Sequence, residues 1–244
     1  MKKLKIWLIL IIGVLTMTAC QEEEKEEKVA KASKVSPKSK VSSVYIYHTH
    51  NQESFLPVLK TDDVNEAHDP VKNISLVGKR LKENLESKNI SVIQDTTDIA
   101  SVLKEKNLSF RESYSISGKS LKETLEKNDI SIALDIHRDT ISKEDSTIKI
   151  DGENYARVVF YVSKANKTYF DQSVNLANTL HVELEKMYPS LSRGVILKES
   201  PNTYNQDIFP ELAVMAVGGP ENTLEEEYRT IEKIAEVIQK KINE

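Results

Sequence analysis

The most constraining feature of this 244-residue chain is a regular alternation of short apolar runs with longer amphipathic segments. Short apolar runs bounded by turn residues are typical of strands that are buried on both faces. The segments between them repeat their apolar residues every three or four positions, which is the period of a helix with one buried face. This alternation predicts a single three-layer α/β domain with a mostly parallel sheet flanked by helices.

The predicted elements occupy residues 44–244, which we expect to form the folded domain. The expected strands are Val44–Tyr47, Ile90–Ile93, Ile130–Ile136, Val195–Leu197 and Leu212–Val217, with a hairpin of Ile148–Ile150 and Ala156–Val162 turning at Asp151-Gly152. The expected helices are Val71–Ser87, Tyr114–Lys127, Asn175–Met187 and a last helix capped by Asn222 or Thr223.

Residues 1–19 have the pattern of a secretory signal peptide. Three lysines precede the apolar run Ile6–Met17, which is short for a membrane span. The run closes with Met17-Thr18-Ala19-Cys20, which resembles a bacterial lipobox and predicts a lipid on Cys20. The alternative is an uncleaved membrane anchor, and both interpretations place the following residues outside the cytoplasm on a membrane.

Residues 20–43 are predicted to be a disordered linker that follows the lipid anchor. Their glutamates, lysines and serines leave almost no apolar surface to bury. Cys20 is the sole cysteine, so the domain has no thiolate nucleophile and must build any metal site from His, Asp or Glu.

Charge and composition exclude several classes of partner. The formal net charge of −4 argues against nucleic acid, and an aromatic content of 6% argues against a large flat carbohydrate-binding platform. A two-lobed solute-binding protein usually needs more residues than this domain has.

Histidines follow two of the predicted strands. His48-Thr49-His50 continues Val44–Tyr47, and His137 lies in Asp135-Ile136-His137-Arg138-Asp139 at the end of the third strand. Ligands bind at the carboxyl ends of strands in open α/β sheets, and imidazoles with a carboxylate form the usual catalytic zinc set. We therefore expect an extracytoplasmic zinc hydrolase in which one of His48 and His50 is a ligand and the other supports it.

Two further positions have alternative interpretations. His68 or Asp69 is a candidate third metal ligand, but Asp69 also fits the N-cap of a helix with Pro70 in its first position. Asp135 or Asp139 is placed to accept a hydrogen bond from a ligating imidazole and so orient it.

A set of segments resembles the stage II sporulation protein P family of Firmicutes. They occur in the family's order across most of residues 44–240: Tyr47–Ser54, Lys72–Gly78, Asp95–Thr97, Asp135–Asp139, Tyr188–Gly194, Tyr204–Asp207 and Val217–Glu226. The resemblance implies a zinc amidase related to the N-acetylmuramoyl-L-alanine amidases, which releases stem peptides from peptidoglycan and has an endopeptidase activity. It also implies a role in septal wall thinning and engulfment during sporulation, with membrane proteins as partners.

The resemblance also implies roles for individual residues. It makes His50 and His137 the zinc ligands, and it places the third ligand near His68 or Asp69. Glu53 matches a polar position of the family motif, and Arg138 is a candidate donor to the oxyanion of the reaction.

One position departs from the family pattern. Ala216 in Ala213–Gly218 stands where the family has a glutamate that is taken as the general base. A zinc amidase needs a carboxylate to carry a proton from water to the leaving amine, and losing it lowers the rate by roughly 10²–10⁴-fold. The sequence therefore leaves two readings: an enzyme with Glu53 as substitute base, or a catalytically impaired paralogue that binds peptidoglycan or partner proteins.

Overall fold

The computed structural model of the protein describes residues 43–244, and a six-stranded sheet runs through this region. The strands are β1 (Ser43–Tyr47), β2 (Ser91–Gln94), β3 (Ile130–His137), β4 (Thr147–Ile150), β5 (Glu153–Ala156), β6 (Val158–Ser163), β7 (Ser192–Lys198) and β8 (Leu212–Val217). Strands β4 and β5 form a separate antiparallel hairpin, and the other six form the sheet.

The strand order in the sheet is β2-β1-β3-β8-β6-β7. The first four strands are parallel, whereas β6 runs antiparallel to β8 and parallel to β7. The prediction of a mostly parallel sheet is therefore confirmed. The carboxyl ends of β1, β3 and β8 meet side by side at one edge, where an open sheet binds its ligands.

Helices cover both faces of this sheet. They are α1 (Leu56–Leu59), α2 (Ser75–Glu86), α3 (Ile99–Glu105), α4 (Ser113–Lys127), α5 (Lys143–Ser146), α6 (Phe170–Met187) and α7 (Leu224–Asn243). One face packs against α2, α6 and α7, and the other packs against α4. The three layers predicted from the sequence are present.

Successive side chains along each strand point to opposite faces of the sheet, so each strand contributes to both cores. Ile46, Leu134 and Met215 point into the larger core, where they join the apolar stripes of α2, α6 and α7. Tyr45 and Val214 point the other way and join Leu121 of α4 in a smaller core. The candidate site lies at the carboxyl edge on this second side.

Most element boundaries shift by one to three residues from the sequence prediction, and three differences have a clear physical cause. The helix expected from Val71 begins at Ser75, because Asp69 first ties the chain into a turn. Helix α6 begins at Phe170 rather than Asn175, since Phe170 packs against the larger core. The strand expected over Ala156–Val162 is split into β5 and β6, because the Arg157 N–H bonds Ser146 instead of a neighbouring strand.

Several predictions concern residues outside the described region: the signal peptide of residues 1–19, the lipid on Cys20 and the linker of residues 20–43 except its last residue, Ser43, which belongs to β1. Among the described helices, none combines the length and the apolar character that a membrane crossing requires.

Glu227 of α7 is a fully buried carboxyl group. Neither of its oxygens has a hydrogen-bond partner within the described residues, and they lie directly beneath Gly218. Burial raises the pKa of Glu227 well above its ordinary value, and neighbouring Glu226 adds to this, while Lys143 and Arg138 oppose it. Burial therefore favours the protonated form of this side chain.

The buried carboxyl group of Glu227 should make the protein less stable as the pH rises. In the unfolded chain Glu227 ionises above about pH 4.5, whereas burial keeps it protonated to a higher pH in the folded chain. The stabilisation is complete below that pH and is lost as pH rises toward the folded pKa, by at most about 1.4 kcal/mol per pH unit. The free energy of unfolding can be measured in urea at several values between pH 5 and 8. It should fall less steeply with rising pH in Glu227→Gln than in the wild type, and exposed Glu225→Gln is the control. Equal slopes for Glu227→Gln and the wild type would contradict this assignment.

Candidate functional site

The buried carboxylate of Asp135 fixes the loop that follows β1. Its Oδ1 accepts the Thr49 N–H at 2.9 Å, and its Oδ2 accepts the Thr49 hydroxyl at 2.7 Å. Burial opposes ionisation of Asp135, but nearby His137 and the bonds to Thr49 lower its pKa. With the loop held in this way, the ring of His50 lies 5.2 Å from the ring of His137.

His137 is enclosed by two carboxylates. Its Nε2 is 3.1 Å from Asp135 Oδ1, and its Nδ1 is 3.4 Å from Glu53 Oε2. Burial disfavours a charged imidazole, but Asp135 and Glu53 outweigh it and raise the pKa of His137 well above its ordinary value. Glu53 in turn accepts the backbone N–H of Arg138 at 3.0 Å. Burial works against its charge, yet His137 lowers the pKa of Glu53.

His50 presents a neutral imidazole to the same place. Burial lowers its pKa to about 4, and the neighbouring His137 contributes. Its Nδ1 is buried without a hydrogen-bond partner in the described region, while its ring stacks on Phe110 at a centroid distance of 4.4 Å. A buried imidazole nitrogen without a hydrogen-bond partner is a group that a metal ion would satisfy.

The donor types of this cluster suit zinc. Two ligand atoms on a tetrahedral zinc, each about 2.1 Å from the metal, lie about 3.4 Å apart. The gap between His137 Nδ1 and Glu53 Oε2 has this length, which is long for a hydrogen bond. Within residues 43–244, the side chains as they are arranged do not bring three His, Cys, Asp or Glu residues close enough together to hold a metal ion.

The cluster opens into a pocket of about 250 Å³. The lining residues are His50, Glu53, Tyr114, His137, Arg138, Tyr161, Lys198, Tyr204, Val214 and Ala216. Ala216 is the register partner of His137 on the adjacent strand, so its methyl group lies beside the histidine. Glu53 is the one carboxylate that lines this pocket among the described residues.

A second cavity of about 450 Å³ lies on the other side of His50 and Glu53. Its apolar lining comes from Ile99, Leu103 and Phe110. Because His50 and Glu53 line both cavities, a bound molecule can extend to either side of them.

His48 lies on the opposite side of the sheet from this pocket. Its Nδ1 donates to the Ile136 carbonyl at 2.9 Å, and its Nε2 faces Gly78 of α2. Burial lowers the pKa of His48, so the ring is neutral. The structure thus separates two histidines that stand only two residues apart, because Thr49 between them is bound to Asp135.

His68 and Asp69 are not brought to His137. Asp69 Oδ1 accepts the N–H groups of Val71 and Lys72 at 2.7 and 2.6 Å, and these bonds lower its pKa. His68 pairs through its backbone with Glu53 and lines the second cavity, and it is not among the residues that line the 250 Å³ pocket. Glu53, which lies one turn after His50, is the residue that contacts His137 here.

Arg138 lines the pocket, and its side chain supports the loop that carries Glu53. Its guanidinium donates to the carbonyls of Ser54 at 2.6 Å, Ala67 at 3.0 Å and Asp139 at 3.0 Å. These bonds hold the segment that carries Glu53 against the end of β3.

Sequence reasoning named Glu53 as a candidate base without pairing it with His137. It missed Tyr161 and Lys198, which line the same pocket. The N–H of Glu53 bonds the His50 carbonyl at 3.1 Å, so the two residues belong to one turn. The spacing of three residues between His50 and Glu53, directly after a strand, was the sequence signal that the two side chains lie close together. Tyr161 and Lys198 carry no comparable pattern in the sequence.

Comparison with known proteins defines the family. Residues 15–239 match the family model of Stage II sporulation protein P (SpoIIP). The chain belongs to this family. It is 39% identical over 200 residues to Stage II sporulation protein P of Bacillus subtilis (strain 168), an alignment that covers 80% of this chain. The chain spans about half the length of that relative, of which 50% is covered. The resemblance predicted from the motifs is confirmed.

Two solved amidase structures are similar to this chain. The CwlD amidase from Clostridioides difficile, solved in complex with the GerS lipoprotein, superposes with a TM-score of 0.52 at 17% identity, covering 83% of this chain and 96% of that chain. The amidase AmiC2 of Nostoc punctiforme gives a TM-score of 0.43 at 13% identity, covering 83% and 98%. The CwlD likeness establishes an amidase-like α/β fold.

The position of His48 makes a testable prediction about Gly78. A Cβ on Gly78 would lie 2.4 Å from His48 Nε2, so Gly78→Ala should destabilise the protein by about 1–3 kcal/mol. Without this clash, alanine within a helix would stabilise by up to about 1 kcal/mol. Urea unfolding measures the change, and the loss should shrink in a His48→Ala background. A more stable Gly78→Ala single variant would contradict the placement of His48.

Proposed function

We propose that this chain is a zinc-dependent amide hydrolase of the cell wall that acts on the stem peptides of peptidoglycan. The observation that carries the proposal is the cluster of His50, His137 and Glu53 where β1 and β3 end. Membership of the SpoIIP family and the amidase-like fold support it.

We assign His50, Glu53 and His137 as the residues that would hold the zinc ion. When bound, zinc polarises the amide carbonyl and lowers the pKa of water, so that hydrolysis proceeds near neutral pH. Asp135 orients His137 through the ring nitrogen that faces away from Glu53. Arg138 fixes Glu53 through its backbone N–H.

The two cavities suggest how the substrate lies. A scissile amide beside His50 and Glu53 would have one part of the substrate in the 250 Å³ pocket and the other in the apolar cavity. Hydrolysis adds the oxygen of water to the carbonyl carbon, breaks the carbon–nitrogen bond and delivers a proton to the leaving amine. With Glu53 assigned to the metal, no lining residue of the pocket in the described region supplies a second carboxylate for that proton transfer.

Ala216 favours a second candidate function. A methyl group at this position cannot accept a proton, so the chain would be a catalytically impaired family member that binds peptidoglycan or partner proteins. The two functions share the same substrate-binding pocket and differ in turnover.

The proposal extends to the location of the protein. A lipid on Cys20 would hold the domain on the extracytoplasmic face of the membrane, within reach of the wall. The family name points to sporulation, and the lipoprotein in the CwlD complex is a precedent for a membrane-anchored partner of this fold. We therefore include other sporulation membrane proteins among the proposed partners.

Zinc binding tests the proposed ligand set directly. After chelation and dialysis, the detergent-solubilised chain should bind one zinc ion. We expect His50→Ala, His137→Ala and Glu53→Gln each to weaken binding by at least about 100-fold, more than the loss of a supporting group. Calorimetric titration measures the affinity, and His181→Gln, far along the chain on α6, is the control. Wild-type affinity in all three variants would rule out this ligand set.

Digestion of purified peptidoglycan separates the enzyme from the binding protein. The zinc-loaded chain should release stem peptides, and a chelator should stop the release. Mass spectrometry of the products identifies which bond is cleaved. A folded, zinc-loaded chain that binds peptidoglycan without releasing peptides would support the second candidate function instead.

Ala216→Glu should increase the rate of release. The new carboxylate would stand beside His137 and face the pocket, where it can carry the proton, and general acid–base catalysis contributes about 10²–10⁴-fold. Ala216→Gln has nearly the same shape without the proton-transfer group and should show no gain. Equal rates for the two variants would show that position 216 does not limit proton transfer.

A further inference from the structure

The wall of the pocket formed by β6 and β7 carries a positive charge that the proposed hydrolysis does not use. Tyr161 and Lys198 line the same 250 Å³ pocket as the histidine pair. Tyr161 pairs with Ile196, and Lys198 pairs with Ser163 two residues further along, so the two side chains are diagonal neighbours on one face of the sheet.

The ammonium group of Lys198 is held over the ring of Tyr161. Its Nζ lies 4.3 Å from the ring centroid, which is within the range of a favourable cation–π contact. Such a contact is favourable and restricts the flexible lysine side chain. The charge is therefore kept at the pocket instead of extending freely into solvent.

The nearby carboxylates are already engaged by other groups. Asp139 is ion-paired with Arg193 and accepts the Tyr161 hydroxyl at 2.9 Å. Glu53 lies between His137 and the Arg138 N–H. In the described part of the chain, Lys198 has no carboxylate within ion-pair distance, so its charge remains available to a bound molecule.

We propose that Lys198 recognises a carboxylate of the stem peptide and so determines which part of the substrate occupies this pocket. This inference rests on the proposed function, since the stem peptide supplies the carboxylate. The glycan backbone around the scissile bond offers hydroxyl and amide groups, which do not require a cation. The apolar cavity beyond His50 then takes the remaining part of the substrate.

Binding of a disaccharide-peptide monomer tests this assignment. The metal is removed from the detergent-solubilised full chain so that the substrate is not consumed, and affinity is measured calorimetrically. The probe is used in two forms, one with free peptide carboxylates and one with these carboxylates amidated. Lys198→Met should weaken binding of the free acid about 10-fold and leave the amide within about 2-fold. Lys198→Arg, which keeps the charge, should retain most of the affinity.

Lys164→Met is the matched control, because Lys164 is already paired with Glu199 on the surface. If the zinc-loaded chain hydrolyses the free acid, Lys198→Met should raise KM and leave kcat nearly unchanged. An equal loss for both probe forms, or no loss for either, would overturn the role of Lys198 while the proposed function stands. A wild-type chain that binds neither probe would instead overturn the proposed function and this inference with it.

Discussion

The site depends on one buried carboxylate, that of Asp135. Removing a charged carboxylate from water is unfavourable, so such a group persists only when hydrogen bonds and an opposite charge compensate for it. Asp135 obtains this compensation from the N–H and hydroxyl of Thr49 and from His137. The same contacts join the loop after β1 to the end of β3. A group that would otherwise destabilise the fold thus determines where the two imidazoles stand.

The electrostatics of the pocket follow from that arrangement. His137, enclosed by Asp135 and Glu53, and His50, buried with one free ring nitrogen, differ in protonation although their rings are 5.2 Å apart. A metal ion would replace the positive charge that the protonated His137 supplies between the carboxylates. Because Asp139 is neutralised by Arg193, the opposite wall keeps the charge of Lys198. This local positive charge stands in a chain whose formal net charge is −4.

Much of the fold was predictable because each signal is local. Apolar runs and three-to-four-residue periodicity located most strands and helices, and polar residues after β1 and β3 identified the edge that carries the site. The short helices α1, α3 and α5 were missed because four to seven residues hold too little periodicity to recognise. The break between β5 and β6 was missed because it depends on a bond from Arg157 to a distant residue, Ser146.

The sequence alone determined that histidines follow two strands of an α/β sheet, and the resemblance leads us to expect a glutamate where Ala216 stands. Tertiary structure decided which histidine enters the site. The link from Thr49 to Asp135 sends His50 toward His137 and leaves His48 against Gly78. The strand order also places Lys198 of β7 in a pocket with residues that follow β1, although nearly 150 positions separate them. Such contacts depend on pairing between distant strands and on burial, and no local pattern of residues encodes either.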